Sequence, residues 1–558
     1  MQKKLIFLSY LIVLVSLCSN ARAQMTLKNP ILPGFYPDPA ICKVGTDYYM
    51  VTSTFVYFPG IPIFHSKDLQ NWKQIGSAID RPAQMDFMGE QISRGLFAPS
   101  INFNNGTYYI TCTDIDNGGN FILTAKNPAG PWSKPIYIRE ARGIDPSLFF
   151  EGNKTYIIYN SEPPENKSLY SGHRTVRMYE LDPATLKVMG TEKILVNGGV
   201  DLSKKPVWIE APHIYKRNGY YYLMAAEGGT SVNHSEVILR SNDVWGPYIP
   251  YEKNPILTQR HLDPKRKDPI SSVGHADLVD GPDGNTYAVF LAVRPYERDF
   301  YNTGRETFIA PVKWVDNWPI INPDHEEVQY KYQVSWNEDK PKNQLPLSGN
   351  FDLKIPFKDS LNNQFLFLRT HNNSWYNFKE NKNALTLKLL PETIMGKGNP
   401  AFIGRRQQHL LSSASTEMVF STKKAKEKAG LVIFQNETHF YYLCKSYDHD
   451  KNVIQLFKGN PATKEMDLVK QVDIPGTQKN IYLKIDADKD VYSFWYGLKE
   501  NDMKLLQDKV DGKYLSTAVA GGFVGALYGI YATADGEQST NNAIYKWFGY
   551  KGNDHTYQ

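Results

Sequence analysis

Cysteine is scarce, with four in 558 residues. Cys18 falls in an apolar leading stretch, while Cys42, Cys112 and Cys444 are scattered and odd in number, so neither a disulfide framework nor a zinc-ligand spacing is expected. Charge of one sign is lacking too. Lys and Arg number 63 against 58 Asp and Glu, with no basic tract, which argues against a nucleic-acid partner. Past the first two dozen residues no apolar run is long enough to span a bilayer, and no low-complexity tract occurs. The expectation is a soluble, globular chain, too long for one small core and therefore of two or more domains.

The leading residues read as a targeting segment. Lys3 and Lys4 precede "LIFLSYLIVLVSL", and "ARA" ends at Ala23, which predicts a secretory signal peptide over 1–23, cleaved before Gln24. Leu17 is bulky where a lipobox before Cys18 takes a small residue, so release into a periplasm or the medium is favoured over lipid anchoring.

What the chain does have is repetition. "YYMVTS" at Tyr48, "YYITCT" at Tyr108, "YIIYNS" at Tyr156, "YYLMAA" at Tyr221 and "YAVFLA" at Tyr287 each follow a turn-like stretch. Upstream of each Tyr stands a second strand with an aligned opening: "DPAI" at Asp38, "APSI" at Ala98, "DPSL" at Asp145, "APHI" at Ala211 and "HADL" at His275. A further strand often follows. Small antiparallel sheets repeated at such a period pack radially, which leaves only short protected edges. The repeat predicts a five-bladed β-propeller over 24–325, and an all-β chain. A polar, Pro-rich stretch over 326–349 is expected as a linker, and alternating strands over 350–558 predict a β-sandwich.

In a propeller the innermost strands line the axis, so equivalent repeat positions meet. Asp38, Asp145 and His275 share that position, and Glu210 precedes it by one residue. Three carboxylates are therefore expected at one mouth of the channel, a costly gathering of like charge. Glycosidic bond cleavage gives it a use: an inverting mechanism sets a water-activating carboxylate and a protonated carboxylic acid about 6.5 to 9.5 Å apart, and a third carboxylate can hold the acid protonated.

With these residues in place the chain resembles glycoside hydrolase family 43, in its two-domain β-xylosidase and α-L-arabinofuranosidase branch. "NPILPGFYPDPAIC", "STFVYFPG", "GIDPSLF", "EAPHIYK", "AEGGT", "GHADLV" and "GRETFIAPVKW" run in that family's order, and "FIGRRQQH", "AGLVIFQNE" and "GGFVGALYG" resemble its C-terminal domain. The resemblance implies Asp38 as general base, Glu210 as general acid and Asp145 as the carboxylate that tunes and orients the acid. It implies sugar contacts from Phe55, Phe97 and Arg294, and a mouth-closing aromatic, Phe523, from the second domain. His275 would face the axis, near a water cluster or an indirectly held calcium ion; no cofactor is required.

Phe97, Val56, Ser100 and Ala211 depart from the usual β-xylosidase pattern, which leaves the choice of pentose open. A pocket closed by the second domain would admit chain ends or side branches, so the expected activity is exo-acting release of terminal α-L-arabinofuranosyl or β-D-xylosyl units from plant cell-wall polysaccharides or oligosaccharides. A catalytically silent sugar-binding propeller and an endo-arabinanase are the alternatives. The oligomeric state is not legible.

Overall fold

The computed structural model describes residues 25–340, 344–371 and 374–558; the expected signal peptide lies outside them. Five antiparallel sheets run in chain order, four of four strands and one of five. Their first strands are Ala40–Val44, Ser100–Asn104, Ile144–Glu151, Glu210–Arg217 and Ser271–Asp280. Each packs beside the first strand of the next blade, and the fifth returns to the first, so the ring closes. The second strands carry the tyrosine motifs. In the fifth blade Thr286–Val293 is buried at every position, because neighbouring blades cover both faces of an inner strand and alternation is lost. Tight turns set the registers: Asn105-Gly106 and Asn218-Gly219 both have two positive φ values, the backbone a two-residue type I′ hairpin needs.

The first strands are not regular. Asp38, Asp145, Ala211 and His275, all at the aligned repeat position, adopt left-handed φ of 55°, 54°, 52° and 56°. Register shifts follow at Ile144/Ser147, Glu210/His213 and Gly274/Asp277. A bulge bends a strand and re-aims one side chain out of the ladder, and non-glycine residues hold such backbone only where packing enforces it. The recurrence in four blades is the local cause of the site below.

The segment 326–349, expected as a linker, is partly strand. Lys331–Val334 pairs antiparallel with Met25–Lys28, and the buried Trp336 donates its indole N–H to Asp68 O at 3.0 Å. The alternation of buried Tyr332 and Val334 with exposed Lys331 and Gln333 is a period-2 signal too short to stand out in a polar stretch.

The second domain is a sandwich of an eight-stranded and a six-stranded sheet. Its core is continuous with that of the first two blades: Phe35, Tyr57, Phe58 and Leu96 share one apolar cluster with Phe367, Leu368, Phe402 and Val432. Tyr57–Phe58 even pairs as a strand with Phe367–Leu368. At about 1.5 to 3 kcal/mol for each large apolar side chain buried, these contacts hold the sandwich firmly beside the channel mouth.

Candidate active site

A cavity of about 670 Å³ stands at the end of the channel where the bulged residues emerge, and Asp38, Asp145, Glu210 and His275 all line it. Repeat position thus brings together four residues spread over more than two hundred positions. The three carboxylates are each at most 7 % exposed, and their surroundings differ.

Asp38 is held ionised. Arg305 Nη1 donates to Oδ1 at 2.9 Å and Ser53 Oγ donates to Oδ2 at 2.5 Å, with His275 Nδ1 3.8 Å away. Burial pushes its pKa up, but the Arg305 charge, His275 and the Ser53 hydrogen bond together bring it below the usual value. Among the described residues no cation is in contact with Asp145. Burial, then the negative charge of Asp38, raise it to about 7, against a hydrogen bond from the backbone N–H of Ala211 at 3.2 Å. That bond ties Asp145 to the residue next to Glu210. Glu210 is pushed furthest, well above the ordinary carboxylate range, by burial first and then by Asp145 and Asp38. One cavity thus holds a carboxylate drawn towards its anionic form beside a carboxyl group pushed towards its protonated form, the division that acid–base chemistry requires.

His275 is neutral, its pKa driven to about 3 by burial, and buried His234 behind it is lowered to about 4 for the same reason. Among the described residues no group of three His, Cys, Asp or Glu side chains is arranged to hold a metal. Imidazoles with the Arg305 cation close by do not suit direct ligation of calcium, a hard ion that takes oxygen ligands.

Aromatic residues build another part of the lining. Phe523, 37 % exposed, stacks on Phe55 with ring centroids 5.9 Å apart and meets Phe97 edge-on at 6.0 Å. Phe55 and Phe97 meet edge-on at 5.4 Å. Phe523 comes from a sandwich loop, and its N–H donates to Ser93 Oγ at 2.9 Å, so the second domain supplies part of the cavity.

Arg294 corrects the sequence reading. It does not line the cavity; it is buried against Glu306 at 2.6 Å and against Asp554 of the sandwich at 2.7 Å. Its strand end faces the domain boundary, not the sugar pocket. Among the described residues the guanidinium that pairs with a carboxylate of the site is that of Arg305, and its buried Nε finds no partner there. Trp208, two residues before Glu210, and Arg174, whose guanidinium lies 3.9 Å from the Trp208 ring, also line the cavity. Arg305 lies in the quoted "GRETFIAPVKW" and Trp208 stands two residues before the quoted "EAPHIYK", but neither occupies the aligned tetrapeptide or the tyrosine strand that the repeat marks.

Comparison with known proteins agrees with this geometry. Residues 27–319 match the glycosyl hydrolases family 43, and residues 356–551 match the beta xylosidase C-terminal concanavalin A-like domain. A xylosidase/arabinosidase of Butyrivibrio fibrisolvens is 39 % identical over 93 % of this chain and 98 % of its own. A non-reducing end alpha-L-arabinofuranosidase of Bacteroides ovatus is 35 % identical over 97 % and 98 %. Among solved structures, a GH43_12 protein retrieved from capybara gut metagenome superposes with a TM-score of 0.83, at 38 % identity over 92 % of this chain and 96 % of that one.

Proposed function

The chain belongs to glycosyl hydrolase family 43, and on that premise we propose that it releases terminal α-L-arabinofuranosyl or β-D-xylosyl units from plant cell-wall polysaccharides or their oligosaccharides, with inversion at the anomeric carbon. The observation that carries the reading is the unequal treatment of three buried carboxylates in one cavity: Arg305 forms its ion pair with Asp38, while the pKa of Glu210 is pushed well above the ordinary carboxylate range.

In this reading Asp38 takes a proton from water as that water attacks the anomeric carbon. Glu210 gives its proton to the departing glycosidic oxygen. Asp145 keeps the acid protonated by its charge and holds its strand through the Ala211 N–H. Phe55, Phe97 and Phe523 pack on the apolar faces of the sugar, and Arg305, which lines the cavity beside Asp38, donates to a ring hydroxyl. The wall supplied by Phe523 closes the site to an internal stretch of polymer, which favours exo action over an endo-arabinanase. No helix among the described residues is long and apolar enough to cross a membrane, and the leading segment is read as an export signal, so the enzyme would work in a periplasm or outside the cell.

The test is a panel of aryl and natural pentosides with the product anomer followed by proton NMR. The product should first appear with the anomeric configuration opposite to that of the substrate. Retention would refute the water-activating role of Asp38, and inertness on every pentoside would favour the silent sugar-binding propeller.

A further inference from the structure

A second cavity, of about 970 Å³, opens beside the first, and Ile115, Ile144 and Arg174 line both. It lies over blades 2 and 3, and its wall is polar and apolar in about equal parts. Arg174 is fixed from two sides, by an ion pair with Glu162 and by the face of Trp208. Trp208 and Glu210 leave the same stretch of chain, so this shared wall stands on the side of the cavity where a departing oxygen would be protonated. A leaving group that takes the proton of Glu210 has the second cavity next in its path.

We propose that this second cavity is an extended groove for the leaving-group side of the substrate, holding at least two hydroxyl-rich sugar units of the polymer beyond the one next to the scissile bond. The proposal rests on the glycosidase reading above and adds the direction in which the polymer runs. Arg177 in this groove is engaged by Glu192 at 2.6 Å. Arg139 and Arg142 are exposed and form no ion pair among the described residues, though Arg139 lies over the Tyr137 ring at 5.5 Å. Planar guanidinium groups with uncommitted donors suit pairs of neighbouring sugar hydroxyls.

The experiment uses the full chain carrying Glu210→Gln, so that ligand is bound without being cut. Xylo-oligosaccharides of two to six units, each with one arabinofuranosyl branch, are titrated by calorimetry. Affinity is expected to rise about tenfold between the shortest and the four-unit backbone, the gain of one well-made polar contact set. That gain should disappear when Arg139→Ala and Arg142→Ala are added, with the short ligand as internal control for folding. An affinity independent of length, or a gain that survives loss of both arginines, overturns the groove. Because binding is the readout, inactivity of the wild type on pentosides would refute the reaction without mimicking either result.

Discussion

Two of the clusters of buried charge in this molecule are arranged differently. At the domain boundary Arg294 forks onto Glu306 at 2.6 and 2.8 Å and reaches Asp554 at 2.7 Å, and none of the three lines either cavity described above. Burial works against the charge on Arg294, but Glu306 and Asp554 outweigh it and hold its pKa well above the usual value. Asp554, raised by burial, is brought below its ordinary value by Arg294. At the channel mouth three carboxylates share one contacting guanidinium, and the cluster faces open space. Burial alone therefore does not mark a reactive site. Incomplete neutralisation next to a cavity does, because a group left uncompensated is one whose proton can be used.

The largest effect that would test this contrast is at the acid. Glu210→Ala should slow natural pentosides by about 10²- to 10⁴-fold, the range for loss of a positioned proton donor, and activated aryl pentosides far less, because their leaving groups need little protonation. Asp38→Ala should slow both classes alike. Steady-state rates on paired substrates separate the two roles, and equal damage to both classes by Glu210→Ala would remove the acid from it.

The boundary cluster, where one guanidinium contacts both carboxylates, should fail differently. Arg294→Ala leaves Glu306 and Asp554 buried without their cation, a change that costs about 3 to 5 kcal/mol. Urea unfolding should show that loss, while activity per folded molecule falls much less than in Glu210→Ala. Full stability with activity abolished would return Arg294 to the sugar site.

That Arg294 had to be corrected shows what a sequence of this kind holds back. Five tyrosine hairpins were legible because turn chemistry and strand composition are local, and the carboxylates because repetition places equivalent positions together. Arg294 ends an inner strand buried on both faces, where alternation gives no hint of direction, and its partner Asp554 is 260 positions away. Arg305 reaches Asp38 across 267 positions from a third strand that the repeat does not mark. Phe523 was reachable only through resemblance, since no periodicity says that a loop of the second domain meets the first at Ser93.

The smallest expected effect separates the clusters by the sign of their pH dependence. Asp145 has a folded pKa raised from 3.8 to about 7. Its protonated form favours the folded state below pH 4, and that contribution is lost as pH rises towards 7. Asp145→Asn, which keeps an acceptor for the Ala211 N–H and has no charge to bury, should therefore match the wild type near pH 4 and exceed it by about 1 to 2 kcal/mol above pH 7. Thermal unfolding across that range measures the difference. The alkaline limb of kcat/KM should also move to lower pH in this variant, because Glu210 loses the like charge that helps to keep it protonated. Asp554 runs the other way: its lowered pKa gives stability above the ordinary carboxylate value that is lost as pH falls. A stability difference between Asp145→Asn and wild type that stays constant from pH 4 to 8 would mean that the axial carboxylates are as well compensated as those at the boundary, and the contrast between the clusters would be gone.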